Sequence, residues 1–149
     1  MISKRTKYAL NALVYLANQT PEQAIPISEI SASENISRKF LEAILLELRR
    51  AGMVNSKKGK EGGYYLSKSP DEINVAEVMR LFDGPIALLP CVTYKYYRRC
   101  DECKDEATCG IRKIFAEVRA QTVSALKNAT LTEIKNRSAM AEPFDLQNI

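Results

Sequence analysis

IPISEISASENISRKFLEAILLELRRAG, Ile25 to Gly52, followed by MVNSKKGKEGGYYLS, Met53 to Ser67, decides how this chain folds. Pro26 keeps the preceding Ile25 out of the helical region, so the stretch begins extended. Ser28 is placed to cap a short helix over 29–34, and Asn35 is a residue type that tolerates a left-handed turn. Ser37 is placed to cap a second helix. In it Leu41, Ile44, Leu45 and Leu48 recur at i, i+3, i+4 and i+7, the spacing of one buried face. Gly52 closes that helix. Two helices joined by so short a turn, with Arg38, Lys39, Glu42 and Arg49 on the outer face of the second, form a helix-turn-helix. Beyond it Val54 and Ser56 lie two apart, as do Tyr64 and Leu66, and Gly59, Gly62 and Gly63 permit a turn between them. A hairpin directly after a helix-turn-helix is a wing.

Charge supports the same reading. The chain carries 22 basic and 18 acidic residues, a net +4. Between Ser37 and Lys60 stand Arg38, Lys39, Arg49, Arg50, Lys57, Lys58 and Lys60, against Glu42 and Glu47, with Glu61 just beyond. The positive excess therefore sits in this one region. Lys57, Lys58 and Lys60 crown the hairpin tip, where packing does not require them and DNA phosphates do. A solvated basic loop is the bland alternative; the helix-turn-helix before it favours double-stranded DNA.

Working outward, Ser3 caps a first helix in which Tyr8, Ala9, Ala12, Leu13, Leu16 and Ala17 recur at helical spacing to about residue 19. The N-terminus has no apolar signal core, and no stretch approaches the length a membrane helix needs, so a cytoplasmic protein without a membrane partner is expected. At 149 residues the chain is one domain with room for one appended element, and 46% hydrophobic residues suffice for a core. After Pro70, Asn74 is placed to cap a helix with the apolar stripe Val75, Val78, Met79 and Phe82, which Asp83-Gly84-Pro85 ends. A longer helix is expected from Cys109 or Gly110 to about Asn128. Its face is Ile111, Ile114, Phe115, Val118, Thr122, Ala125 and Leu126, more than a small winged helix covers, and a homodimer is the reading this favours over packing within one chain. Thr130 and Glu133 open a final turn or two, and after about Ser138, with Pro143, a flexible tail is expected.

Between these helices, residues 86–108 show no periodicity and hold all the sulfur ligands. Cys91, Cys100, Cys103 and Cys109 are the chain's four cysteines, and it has no histidine. In a reducing compartment such a cluster points to metal binding or redox sensing rather than structural disulfides. Four thiolates suit an iron–sulfur cluster, [2Fe–2S] or [4Fe–4S], or a structural zinc; Cys100 and Cys103 form a C-x-x-C pair that suits a thiol–disulfide switch. A bound metal would also explain so long an irregular segment. Asp101, Glu102, Asp105 and Glu106 disfavour a lone reactive thiolate among them. Tyr94, Tyr96 and Tyr97 are expected to pack around the site rather than meet a partner. Without histidine there is no Ser-His or Cys-His couple, and Gly59 to Gly63 lie in a hairpin rather than between strand and helix, so an enzyme is not expected.

Further motifs hold the same order along the chain: Lys7-Tyr8-Ala9-Leu10, Ile27-Ser28-Glu29-Ile30, Ile36-Ser37 with Phe40-Leu41-Glu42, Lys58-Gly59 with Gly62-Gly63-Tyr64, Val75-Ala76-Glu77-Val78 and Thr130-Leu131. In this order the chain resembles, from about Ile2 to Lys135, the IscR/NsrR/CymR ("Rrf two") family of bacterial winged-helix transcriptional regulators. The resemblance implies a homodimer with a long crossing helix that represses or activates transcription from partly palindromic DNA. It implies that Ser37, Lys39, Phe40 and Ala43 meet the major groove, that Glu42 tunes site choice, and that Lys58 stands where the family has an arginine for the minor groove. Arg5, Ser28, Arg38, Arg49, Lys57 and Lys60 complete the candidate DNA contacts. Several members hold an iron–sulfur cluster in the cysteine loop, and others use the loop without iron. Cys103 and Cys109 keep the family spacing; Cys91 matches only if the loop has grown, and Cys100 is extra. The positions of the histidine or aspartate that some members use as a further ligand are Arg112 and Lys7 here, so a fourth ligand is most simply the fourth cysteine. A purified sample exposed to oxygen would easily lose such a cluster.

The expected fold is thus mainly α with a small β-hairpin: a winged helix-turn-helix domain over 1–84, a cysteine-rich loop over 85–109, a dimerisation helix with terminal turn over 110–137 and a tail over 138–149. The expected function is sequence-specific DNA binding, modulated by the cysteine loop. The competing expectations are a metal-independent repressor answering to a protein or small-molecule co-effector, and a zinc- or cluster-bearing interaction module.

Overall fold

The computed structural model describes residues 1–140; the tail expected around Pro143 lies outside them. Six helices and one hairpin make up the described chain. Helix α1 (Lys4–Ala17) starts where the Ser3 hydroxyl accepts from the Thr6 amide at 3.2 Å, and it buries Ala9, Ala12, Leu13, Leu16 and Ala17. Helix α2 (Ile27–Glu34) ends at Asn35, which takes φ 51° and ψ 45°. Helix α3 (Arg38–Arg50) buries Leu41, Ile44, Leu45 and Leu48 completely. These side chains share one core with Leu13, Ile30, Val54, Ile73, Val78 and Leu131. Each such aliphatic side chain contributes about 1.5–3 kcal/mol by leaving water, and that holds the outer face of α3 at a fixed height above the core.

The serine expected to cap α2 does not do so. The helix begins at Ile27, and Pro26 takes the capping position with no side-chain bond. Its ring fixes φ at −59°, and its carbonyl accepts from the Glu29 and Ile30 amides at 3.0 and 3.3 Å. Ser28 therefore stands exposed in the first turn. Ser37 occupies the capping position of α3, also without a side-chain bond. Both hydroxyls remain available to solvent or a ligand.

Strands β1 (Val54–Lys57) and β2 (Gly63–Leu66) pair antiparallel, Val54 opposite Leu66 and Lys57 opposite Gly63. The turn between them contains Gly59 at φ 107°, a conformation glycine adopts at little cost. The hairpin is sewn to the chain before α2 by Ile25 and Tyr64, whose amides and carbonyls exchange bonds of 2.9 and 2.8 Å. Gly63 makes that approach possible, because a Cβ there would collide with the Ile25 carbonyl. Gly63→Ala is therefore expected to destabilise the protein by at least about 2 kcal/mol and to loosen the wing. Urea unfolding with the transition midpoint unchanged would refute this.

A 3-10 turn over Pro70–Glu72 carries a complete capping box between Ser69 and Glu72, which the proline alone did not reveal. Helix α4 (Val75–Phe82) starts with the Asn74 side chain accepting from the Glu77 amide. Its far end is clasped to the start of α1. The Asp83 carboxylate accepts from the buried Thr6 hydroxyl at 2.7 Å and from the Ser3 amide at 3.1 Å. Partial burial pushes the Asp83 pKa up, but the hydrogen bonds from Ser3 and Thr6 outweigh it and hold the carboxyl below its ordinary value. A depressed carboxylate stabilises the fold above its unfolded pKa, and that stabilisation is lost as pH falls through the folded value. Asp83→Asn should accordingly cost about 1 kcal/mol at neutral pH. The gap from wild type should shrink below about pH 4, the unfolded carboxyl range; a gap independent of pH in denaturant titrations would contradict it.

Residues 83–109 contain one short 3-10 turn, Pro90–Val92, and then the chain enters helix α5 (Gly110–Asn128). Helix α6 (Leu131–Ala139) follows and is longer than the turn or two expected. Its first residue, Leu131, is fully buried, its Thr130 cap pairs with Asn74, and Lys135 Nζ donates to the Ala17 carbonyl at 2.6 Å. The C-terminal end of the long helix is thereby fixed to both α1 and α4. No helix among the described residues is long and apolar enough to cross a membrane.

Candidate DNA interface and cysteine loop

The core-facing leucines of α3 leave its N-terminal outer face open. Ser37, Arg38, Lys39, Glu42, Ala43 and Arg49 are all exposed. Phe40 is 38% exposed and is braced edge-on by Tyr8, ring centres 5.7 Å apart. Arg38 pairs with Glu42 at 3.3 Å, one turn along the same helix. So open a pair adds little stability, and it leaves both groups free to exchange partners.

The wing folds over this face. Ser28, Arg38, Lys57, Lys58 and Lys60 line one groove of about 440 Å³ between the start of α2, the start of α3 and the hairpin. Gly59, Gly62 and Gly63 form its glycine wall, and a Cβ on Gly62 would come 2.5 Å from the Lys57 carbonyl. The hairpin backbone is thus packed tightly on itself at Gly62, with no room for a side chain. Lys57 also lies over the Tyr65 ring, 5.3 Å from its centre, and reaches the Glu22 carbonyl at 3.4 Å. Lys58 and Lys60 project from the exposed tip. The sequence pattern did not single out Pro26, Ser56 or Tyr64, which line the same groove. Ser56 and Tyr64 owe their place to position in the hairpin, and Pro26 to its position at the start of α2.

Arg5 is placed differently. Its guanidinium bonds Glu47 on α3 at 2.6 Å and lies over the Phe82 ring of α4, 5.4 Å from the centre. It thereby ties α3 to the end of α4, beside the Asp83 clasp.

That end of α4 leads into the cysteine loop. All four thiols are free; Cys91 is buried, Cys100 exposed, and Cys103 and Cys109 half-buried. Cys109 caps α5, its sulfur accepting from the Arg112 amide at 3.4 Å, while Arg112 Nε donates to the Cys91 carbonyl at 3.2 Å. Arg112 therefore acts as a tie between the two ends of the loop. Cys91, in hydrogen-bonding reach, raises the Cys100 thiol pKa; desolvation, Cys109 and Glu102 add to the effect. Along the chain, the Cys103 amide donates to the Cys100 carbonyl at 3.2 Å. Among the described residues no three cysteine or carboxylate side chains are already converged as a metal site.

The rest of the loop is held by its own polar groups. Arg99 donates to the carbonyls of Cys103 and Lys104 at 2.8 and 3.2 Å. Asp105 accepts from the Thr108 hydroxyl at 2.8 Å and the Ala107 amide at 3.1 Å, and these bonds keep its carboxyl below the usual range. Tyr97 donates to Glu106, and that bond raises its pKa. The tyrosines expected to pack around the cysteines are instead exposed, Tyr94 by 88% and Tyr96 by 68%. The donor set itself fits a thiophilic metal group: four reduced thiols, one of them buried, with no competing imidazole.

Past the loop, α5 has no fully buried residue. Phe115, Arg119 and Leu126 are half-buried, and the neighbouring stripe is more open, with Ile111 64%, Ile114 61% and Val118 38% exposed.

Comparison with known proteins shows the family and the fold. The family model Rrf2, described as an iron-dependent transcriptional regulator, matches residues 2–137. A Rhodobacter capsulatus protein named as an rrf2-like HTH-type transcriptional regulator is 44% identical over 137 residues, 90% of this chain and 91% of that protein. The HTH-type transcriptional regulator IscR of Aliivibrio salmonicida is 28% identical over 148 residues, 99% of this chain and 84% of that one. The structure of CymR, the global cysteine regulator of B. subtilis, superposes with a TM-score of 0.76 at 27% identity, covering 92% of this chain and 97% of that chain.

Proposed function

This chain belongs to the Rrf2 family of transcriptional regulators, and from that premise we propose that it binds operator DNA as a homodimer under control of its cysteine loop. One observation carries the DNA reading: Ser28, Arg38 and the three wing lysines, scattered over more than thirty positions of sequence, line a single groove beside the open end of α3. Cations and hydroxyls so grouped neutralise and position phosphates. Ser37, Lys39, Phe40 and Ala43 then face base edges in the major groove. Glu42, released from Arg38, accepts from a cytosine amino group, whereas Arg38 turns to phosphate. Lys58 supplies charge to the minor groove without an arginine's planar fork. Arg49 extends the phosphate contacts along α3. The protein works in the cytoplasm and carries out no catalysis.

Cys91, Cys100, Cys103 and Cys109 would hold an iron–sulfur cluster, which when bound supplies a signal of iron or redox state. The chain's own parts convert the state of the loop into geometry. Arg112 links Cys91 to the first turn of α5, and the loop begins at the Asp83 clasp, one residue from Phe82 and its Arg5 bridge to α3. A loop drawn in around a ligand shifts α5 against its twin and resets the spacing of the two recognition helices. A structural zinc would fix the loop in one state. A thiol switch is a second reading: all four thiols are free, and the Cys103 amide bonds the Cys100 carbonyl at 3.2 Å, which keeps the C-x-x-C pair in one turn.

Two measurements test this reading. Selection from random duplexes should enrich an inverted repeat; no enrichment at low salt would exclude sequence-specific binding. Anaerobically purified protein should show thiolate-to-iron absorption with matching iron and sulfide, and Cys103→Ser should weaken it. Zinc in place of iron would make the loop structural, and a metal-free protein even after reconstitution would leave the thiol switch or a co-effector.

A further inference from the structure

We infer that the cleft between the end of α4, the tyrosine segment of the cysteine loop and the middle of α5 is a binding site for a small organic anion, a carboxylate or phosphate ester with a ring or short apolar body. The cleft encloses about 450 Å³, within the range of sites for small ligands. Three cations from three separate elements line it: Arg80 of α4, Lys95 of the loop and Arg119 of α5. No carboxylate is among its lining residues. The ion pairs of the described chain are Arg5–Glu47, Arg38–Glu42 and Arg137–Glu133, so none of these three cations is neutralised by one. The nearest acid in sequence to Arg80, Asp83, is engaged by Ser3 and Thr6.

Arg119 makes the case more specific. Its Nε is buried and has no hydrogen-bond partner, the one such side-chain atom among the described residues. A buried unpaired donor is costly, and on a guanidinium the natural partner is a carboxylate or phosphate taken in bidentate fashion. Like charges gathered around one cleft with no carboxylate in its lining raise that preference further. The remaining walls suit an apolar body: Tyr94 and Tyr96 offer open ring faces, and Pro85 and Ile86 form the floor. A ligand held here bridges the cysteine loop to α4 and α5. Its binding stands independently of the DNA reading, whereas its power to alter operator affinity rests on it.

The test titrates full-length protein with phenyl phosphate, citrate and inorganic phosphate by calorimetry, with phenol as the neutral control. The same samples are assayed for duplex binding and circular dichroism. At least one anion should bind saturably while phenol does not, and Arg119→Gln and Lys95→Gln should each weaken that binding about tenfold or more, as expected for loss of a charge-assisted bond. Lys95 is exposed, so its variant keeps the test decisive if Arg119→Gln misfolds. No saturable anion binding, or equal affinity in Lys95→Gln and wild type, would overturn the inference. Anion binding that disappears as the protein dimerises would assign the cations to a carboxylate of the second copy and overturn it equally. Failure of duplex binding in unmodified protein would instead strike the regulatory reading and leave the anion result to stand.

Discussion

Replacing Lys57, Lys58 and Lys60 together with alanine lowers affinity for operator DNA on the order of a hundredfold near physiological salt and flattens its salt dependence. Lys58 and Lys60 sit at the exposed hairpin tip and Lys57 ends β1 below them, all three exposed beside Ser28 and Arg38, so they are placed for phosphates and not for the core. Each phosphate neutralised by a lysine contributes about 0.9 to the slope of log K against log salt. Removing three should reduce the slope by about 2.7 for each protomer engaged, with preference among sequences largely kept, since wing contacts position the protein and α3 reads bases. Because the side chains are exposed, thermal stability should stay within about 0.5 kcal/mol of wild type. Fluorescence anisotropy across a salt series decides it: parallel lines for variant and wild type would mean the wing does not touch DNA.

Ile114→Glu, combined with Val118→Glu, is expected to convert the protein to a folded monomer. Ile111, Ile114 and Val118 form an exposed apolar stripe on α5, beside the half-buried line of Phe115, Arg119 and Leu126. Covering each aliphatic side chain with its counterpart on a second copy contributes up to about 1.5–3 kcal/mol. Two carboxylates per protomer in that seam should weaken association by a thousandfold or more, about 4 kcal/mol. The same residues contribute little to the single chain, so circular dichroism and the unfolding transition should barely move. Operator affinity should fall with the dimer, because one protomer reads only half of a palindrome. Sedimentation equilibrium showing an unchanged dimer would place the interface elsewhere.

The winged helix was legible because its constraints are local. The leucine spacing of α3, Asn35 in the left-handed region and the glycine-permitted hairpin all follow from residue type and period, and the structure repeats them. Cap assignments were weaker. Ser28 looked like a helix start, but the proline two positions earlier already supplied the fixed φ and the carbonyl, so the helix began without it. The role of Gly63 depends on the approach of Ile25, and that of Arg5 on Glu47 and Phe82, contacts between elements far apart in the chain. The docking of α6 through Leu131 was hidden for the same reason. In the cysteine loop the sequence told of donor chemistry but not of burial: the structure buries Cys91, half-buries Cys103 and Cys109 and leaves Cys100 exposed. Likewise nothing in the spacing of Arg80, Lys95 and Arg119 announced that they share one cleft.

The central claim is that the state of the cysteine loop sets DNA affinity, and the most direct measurement compares one protein in two states on one duplex. Anaerobic protein with its loop metallated and the same protein stripped by chelation are titrated against the selected operator, with a scrambled duplex as control. A coupling of the usual size for linked sites predicts affinities that differ about 5- to 150-fold on the operator, with the difference abolished in Cys103→Ser. Equal operator affinities for the two states, with metal content verified in each, would contradict the account.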